Sequence, residues 1–137
     1  MRFEKMGIAL QSEDPAASAR FFTEHLGFRV AIDLDWYVSL HHDEHPGYIV
    51  DFVRRGHEAM PESLRTQSPA GLMLGLLVAD AVAAEAELRA AGVEIVGALV
   101  DEPWGQRRFH VRAPDGIVCE ILQTIEPDPE WMRQNGY

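Results

Sequence analysis

One cysteine, Cys119, stands among the 137 residues, so no disulfide can close within the chain. No apolar run approaches the ~20 residues needed to span a bilayer. The opening stretch, Met1 to Met6, has neither the apolar segment nor the small-residue cleavage site of a secretory leader. Together these features set the expectation of a cytoplasmic protein with no membrane partner. Basic residues are scarce: 12 Lys and Arg face 22 Asp and Glu, a formal charge of −10. Such a field repels a phosphate backbone and argues against nucleic acid. It favours solubility and, mildly, cationic partners. The chain has no Gly-x-Ser-x-Gly elbow and no Walker or Rossmann glycine string. Cys119 itself lies in an apolar strand, where a thiol is inert.

What is present is the composition of one globular domain, 1–137, with 47% hydrophobic residues. Asp14 is a good N-cap, Pro15 fits the first helical position and Gly27 a left-handed stop, which predicts a helix from about Pro15 to Leu26. Met6–Leu10 before it predicts a buried strand, and Phe28–Ile32 after it an alternating one. Asp35–Leu40 and Tyr48–Val53 predict a hairpin around a polar turn. Arg54–Pro69, broken by Gly56, Pro61 and Pro69, is a connection with at most one helical turn.

The second half repeats the first. Leu72–Val78 predicts a strand, Asp80 an N-cap, Ala81–Ala91 a helix and Gly92 its stop. Strands follow at Val93–Val96, Arg107–Arg112 and Ile117–Gln123, the last two joined by the turn Ala113–Gly116. A single βα unit cannot bury its own apolar faces, so the two copies should share a core. The expected fold is therefore α+β: two tandem βαβββ modules forming a curved mixed sheet around a cavity. Module one is about 1–54, the connection about 55–69, module two about 70–125 and an appended tail 126–137.

The stretch Asp14–Phe22, continuing through His25-Leu26-Gly27-Phe28, resembles the opening helix of the vicinal oxygen chelate superfamily. Pro114-Asp115-Gly116-Ile117-Val118-Cys119-Glu120-Ile121-Leu122 is similar to the last hairpin of that family. Its members include glyoxalase I, extradiol dioxygenases and the bleomycin, fosfomycin and mitomycin resistance proteins, so the resemblance implies the fold far better than the activity. It also implies where a metal would sit. Counting seven residues back from each capping aspartate reaches Gly7 and Met73, while the remaining positions fall near Asp51 and on Glu120. Glycine and a thioether do not ligate a hard cation. The expectation is a cavity with no metal and no cofactor. His41, His42 and His45 stand with Asp43 and Glu44 at a hairpin turn, where such residues are ordinarily solvated.

Candidate ligand-binding residues follow from this reading. In the last strand Glu120 shares a face with Val118 and Leu122, and the resemblance points that face into the cavity. Asp51 lies between Val50 and Phe52. Both carboxylates form an anionic floor, or each ties down an arginine or a backbone donor. Trp104, between Pro103 and Gly105, is fixed in a turn; it either lines the pocket as a stacking platform or plugs it. Trp-Gly-Gln-Arg is similar to a segment bordering the cavity in mitomycin-resistance and related drug-binding proteins, which assigns Arg107 to brace an acid or touch ligand. Trp36 and Tyr37 alternate sides, so one of them faces the cavity. The expected function is binding of a small planar or aromatic molecule by a homodimer, for resistance or sequestration. The alternative is a lyase or isomerase using Glu120 or Asp51 as general base.

Overall fold

The computed structural model describes residues 1–2 and 4–137. Its strands are β1 (Met6–Ser12), β2 (Arg29–Asp33), β3 (Tyr37–His41), β4 (Tyr48–Arg54), β5 (Met73–Leu77), β6 (Ile95–Glu102), β7 (Gln106–Arg112) and β8 (Val118–Thr124). Its α-helices are α1 (Pro15–His25), α2 (Ala81–Ala90) and α3 (Pro129–Gln134). None of the described helices is long and apolar enough to cross a membrane. The strands divide into two four-stranded sheets, ordered β1-β4-β3-β2 and β5-β8-β7-β6. Each is mixed in the same way, with a parallel outer pair and two antiparallel pairs. This is an α+β fold of two tandem βαβββ modules. The chain packs as two compact units: Met1–Ala70 with Pro114–Gly116, and Gly71–Ala113 with Ile117–Tyr137.

In the first unit Asp14 caps α1 by accepting from Ala17 N at 3.0 Å. Gly27, at φ +74°, turns the chain out of the helix. The helix lays Phe22 onto the sheet, where it meets Phe28 and Phe52 edge-on at 5.5 and 5.1 Å. Leu40, Val38 and Val50 complete that buried layer. The turn Pro114–Gly116 belongs to this unit: Asp115 accepts from Ser18 Oγ at 2.9 Å and from Glu13 N at 3.0 Å.

In the second unit Asp80 accepts from Val82 N and Ala83 N, and Gln123 Oε1 accepts from Ala81 N, so α2 starts on a satisfied set of donors. Phe109, Val111, Cys119 and Ile121 form the buried side of this sheet, with Leu88 of α2.

Three expectations change. The first half of β1 is mostly exposed rather than buried, because β1 is an edge strand with β4 as its sole neighbour. The strand expected at Val93–Val96 begins at Ile95 and runs on to Glu102. Gly97 and Ala98 interrupt the β-branched pattern, yet the strand pairs through them with shifted register, as edge strands do. The tail contains a helix, α3, started by Pro129 and capped by Asp128 accepting from Trp131 N at 2.8 Å.

Candidate functional site

Strand periodicity separates the helix-covered side of each sheet from the other side, and the polar chemistry collects on the latter. In the second unit that side presents Glu120, paired in register with Gly75 of β5 and His110 of β7. Two residues along, Arg108 pairs with Leu122. Arg108 NH1 donates to Glu120 Oε1 at 2.6 Å, while its Nε and NH2 donate to Glu102 Oε1 at 3.0 and 2.7 Å. His110 Nε2 lies 3.5 Å from Glu120 Oε1. The His110 ring rests on the bare backbone of Gly97, where a Cβ would lie 2.5 Å from Nδ1. Glu120 and then Glu102 hold the Arg108 guanidinium above its ordinary pKa.

Over this cluster stands Trp104. The β6–β7 turn closes through Gly105 N donating to Glu102 O at 3.0 Å, with Gly105 at φ +99°. Trp104 Nε1 donates to Gln106 Oε1 at 2.8 Å, and the Arg108 guanidinium carbon lies 5.2 Å from the ring centroid. The ring is still 39% exposed. The tail crosses the turn, with Ile125 N donating to Gly105 O and Asp128 N to Pro103 O. It thereby brings Trp131 to 6.0 Å from Trp104. Beside Glu120, on the same side of the sheet, Met73 and Leu77 are 53% and 69% exposed. A braced aromatic ring, a carboxylate–guanidinium knot and exposed apolar side chains thus share one unit.

In the first unit the corresponding side carries Asp51, in register with Ala9 of β1 and Ser39 of β3. Asp51 Oδ1 is buried without a hydrogen-bond partner among the described residues. Tyr37 shares its side of β3 with Ser39. Burial and the neighbouring Asp51 charge push the Tyr37 phenol above its ordinary pKa, against a hydrogen bond with Ser39 that lowers it. Gln11 Nε2 donates to Leu64 O of the connection.

The candidate residues fall into place unevenly. Glu120 and Trp104 come together through Arg108. Arg107 points to the opposite side and braces Asp101, Nε to Oδ1 at 2.6 Å and NH2 to Oδ2 at 2.8 Å. Trp36 stacks on His57 at 4.2 Å with rings 2° from parallel, leaving Tyr37 as the aromatic next to Asp51. Arg108, His110, Glu102 and Trp131 were not anticipated. Counting outward from the turn at Ala113–Gly116 would have paired His110 with Glu120 and Arg108 with Leu122.

The strand positions to which the resemblance assigns metal ligands do not fit a cation on either sheet. Met73 and Gly75 of β5, and Gly7 and Ala9 of β1, offer no ligand of the kind such an ion needs. The cation that Glu120 already binds is the Arg108 guanidinium.

Comparison with known proteins gives the same architecture. A family model described as the Glyoxalase/Bleomycin resistance protein/Dioxygenase superfamily matches residues 7–121. No curated protein matches the chain. Among solved structures, a glyoxalase/bleomycin resistance protein/dioxygenase from Nocardioides superposes with a TM-score of 0.72 at 24% identity, covering 92% of this chain and 86% of that one. TioX from Micromonospora sp. ML1 gives 0.70 at 25% identity, over 90% of this chain and 100% of its own. TnmS3, an antibiotic binding protein from Streptomyces sp. CB03234, gives 0.69 at 22% identity, over 90% and 97%.

Proposed function

The chain belongs to the glyoxalase/bleomycin resistance protein/dioxygenase superfamily, whose fold hosts several chemistries, and from its sheet faces we propose that it binds a small, planar, cationic molecule without a metal, as a sequestering protein. The observation that carries this reading is the Arg108 knot. Glu120, the carboxylate best placed to act as a base, is committed to a guanidinium at 2.6 Å. A base in that grip is poorly suited to proton abstraction, whereas Trp104 suits stacking and Leu77, on the same side of the sheet, suits apolar contact. Glu102 and Glu120 outnumber Arg108, so the knot keeps a negative surplus that attracts a cationic group on the ligand. That TnmS3 is an antibiotic binding protein makes an antibiotic-like ligand the first class to try. The exposed Met6, Tyr48 and Met73 also support association with a second copy as a homodimer.

The test is tryptophan fluorescence titrated with planar aromatic cations and their neutral analogues. Binding should quench emission, prefer the cations and disappear in Trp104→Ala while surviving in Trp36→Phe. Quenching that persists in Trp104→Ala would reject the platform. A second reading rests on Asp51, whose buried Oδ1 lacks a partner: a lyase or isomerase with Asp51 as general base. Turnover of a hemithioacetal or epoxide that is lost in Asp51→Asn would favour it over the binder.

A further inference from the structure

The turn between β3 and β4 carries two histidines and two acids, next to His41 at the end of β3, that the sheet chemistry leaves unused. Its backbone is pinned at both ends: His45 N donates to His42 O at 3.1 Å, and Tyr48 N donates to His45 O at 2.9 Å. This folding brings one ligand atom each from His42, Glu44 and His45 within 4.8 Å of one another. The two imidazoles are not loose. His42 meets Phe28 edge-on at 5.7 Å, His45 lies 5.1 Å from His42, and Tyr48 lies 5.4 Å from His45, so a column of rings holds them side by side. Glu44 N donates to His42 Nδ1 at 3.3 Å, which further orients that ring. Gly27 lacks a Cβ where His42 Nε2 approaches, the Cβ position being 3.2 Å from that nitrogen. Asp43 is occupied otherwise: it pairs with Arg29 and lies 3.4 Å from His41. Glu44 is left as the carboxylate facing the histidine pair.

We propose that His42, Glu44 and His45 form a surface site for a borderline divalent transition ion, Zn2+ or Ni2+, separate from the sheet faces. Two imidazoles and one carboxylate match the ligand preference of these ions, with water completing the shell. Bonds of ~2.0–2.1 Å place tetrahedral ligands about 3.3 Å apart, so the 4.8 Å grouping closes by side-chain rotation alone. Glu44 is exposed and makes the larger part of that adjustment, the ring column setting His42 and His45 side by side. The bound ion would clamp the turn beside β3 and β4, the strands that carry Ser39 and Asp51. This is a structural site: nothing in the turn supplies a substrate pocket.

The experiment is calorimetric titration of tag-free, metal-stripped protein with ZnCl2 and NiCl2, with Mg2+ as a control. One saturable equivalent should bind Zn2+ and Ni2+ but not Mg2+. Affinity should fall by about tenfold or more in His45→Ala and in Glu44→Gln, since even outer-shell partners are worth that much at metal sites. His42 packs on Phe28, so His42→Gln is read only after circular dichroism matches the parent. Glu120→Gln should leave binding unchanged. Absence of saturable binding overturns the proposal, as does binding that survives both His45→Ala and Glu44→Gln. Binding lost in Glu120→Gln overturns it too, and also rejects the metal-free reading of the sheet face.

Discussion

Replacing Arg108 by methionine keeps most of the stem and deletes the charge between two carboxylates. Three charge-assisted hydrogen bonds disappear: two to Glu102 at 3.0 and 2.7 Å and one to Glu120 at 2.6 Å. Such bonds are worth about 1.5–3 kcal/mol each when well shielded. Here the arginine, Glu102 and Glu120 side chains are 25%, 20% and 14% exposed, so water recovers part of the loss. The expected net destabilisation at pH 7.5 is about 3 kcal/mol, within the range for removing one partner of a largely buried pair. Part of it is repulsion between Glu102 and Glu120, left without the guanidinium between them. Urea unfolding at pH 7.5, followed by circular dichroism, measures it. Arg108→Met/Glu120→Gln should recover about 1 kcal/mol at pH 7.5 by removing one repelling charge. A deficit below about 0.5 kcal/mol, the ordinary size for a surface change, would refute the reasoning.

Two further outcomes follow from the second sheet. Burial pushes the Cys119 thiol up to about 12, so the unfolded chain loses that proton first as pH rises. Stability should then fall above about pH 9 by up to about 1.4 kcal/mol per pH unit, a slope that Cys119→Ala flattens in urea titrations at pH 8 to 10; an unchanged slope in that variant would show the thiol is not its source. Gly97→Ala places a Cβ 2.5 Å from His110 Nδ1, so it should cost about 1–3 kcal/mol by overpacking. Gly97→Ala/His110→Ala should restore most of that, and a purely additive double variant would mean the strain lies elsewhere.

The helices were legible because their signals are local. Asp14, Pro15 and Gly27, and likewise Asp80 and Gly92, specify ends through side-chain caps and left-handed glycine, none of which needs a tertiary partner. Strand β6 was cut short because Gly97 and Ala98 carry little β-preference; ladder bonds from β7 hold them extended. Of the Glu120–Arg108–Trp104 cluster, the sequence reading named the two ends as candidates but not the arginine between them. Arg107 and Arg108 are chemically alike and differ in the side of β7 they occupy. That side is set by the β7–β8 register, a pairing between strands rather than a property of the tetrapeptide around Trp104. Trp131 could not be placed from sequence, because its position depends on the tail crossing the β6–β7 turn.

On the proposed reading, selection of a cation rests on this local arrangement more than on the total charge of −10. Exposed charges farther away than about 8 Å are largely screened at physiological ionic strength. What a ligand meets at the second sheet is Glu102 and Glu120 against one arginine. Arg108 also places positive charge 5.2 Å from the Trp104 centroid, partly satisfying the negative face of that ring. A ligand charge set directly over Trp104 would meet that guanidinium field. The favourable pose puts the apolar, aromatic part of the ligand against Trp104 and its cationic group towards the carboxylates. An aromatic cation whose charge sits on a side arm should therefore bind more tightly than one whose charge is spread over the ring itself.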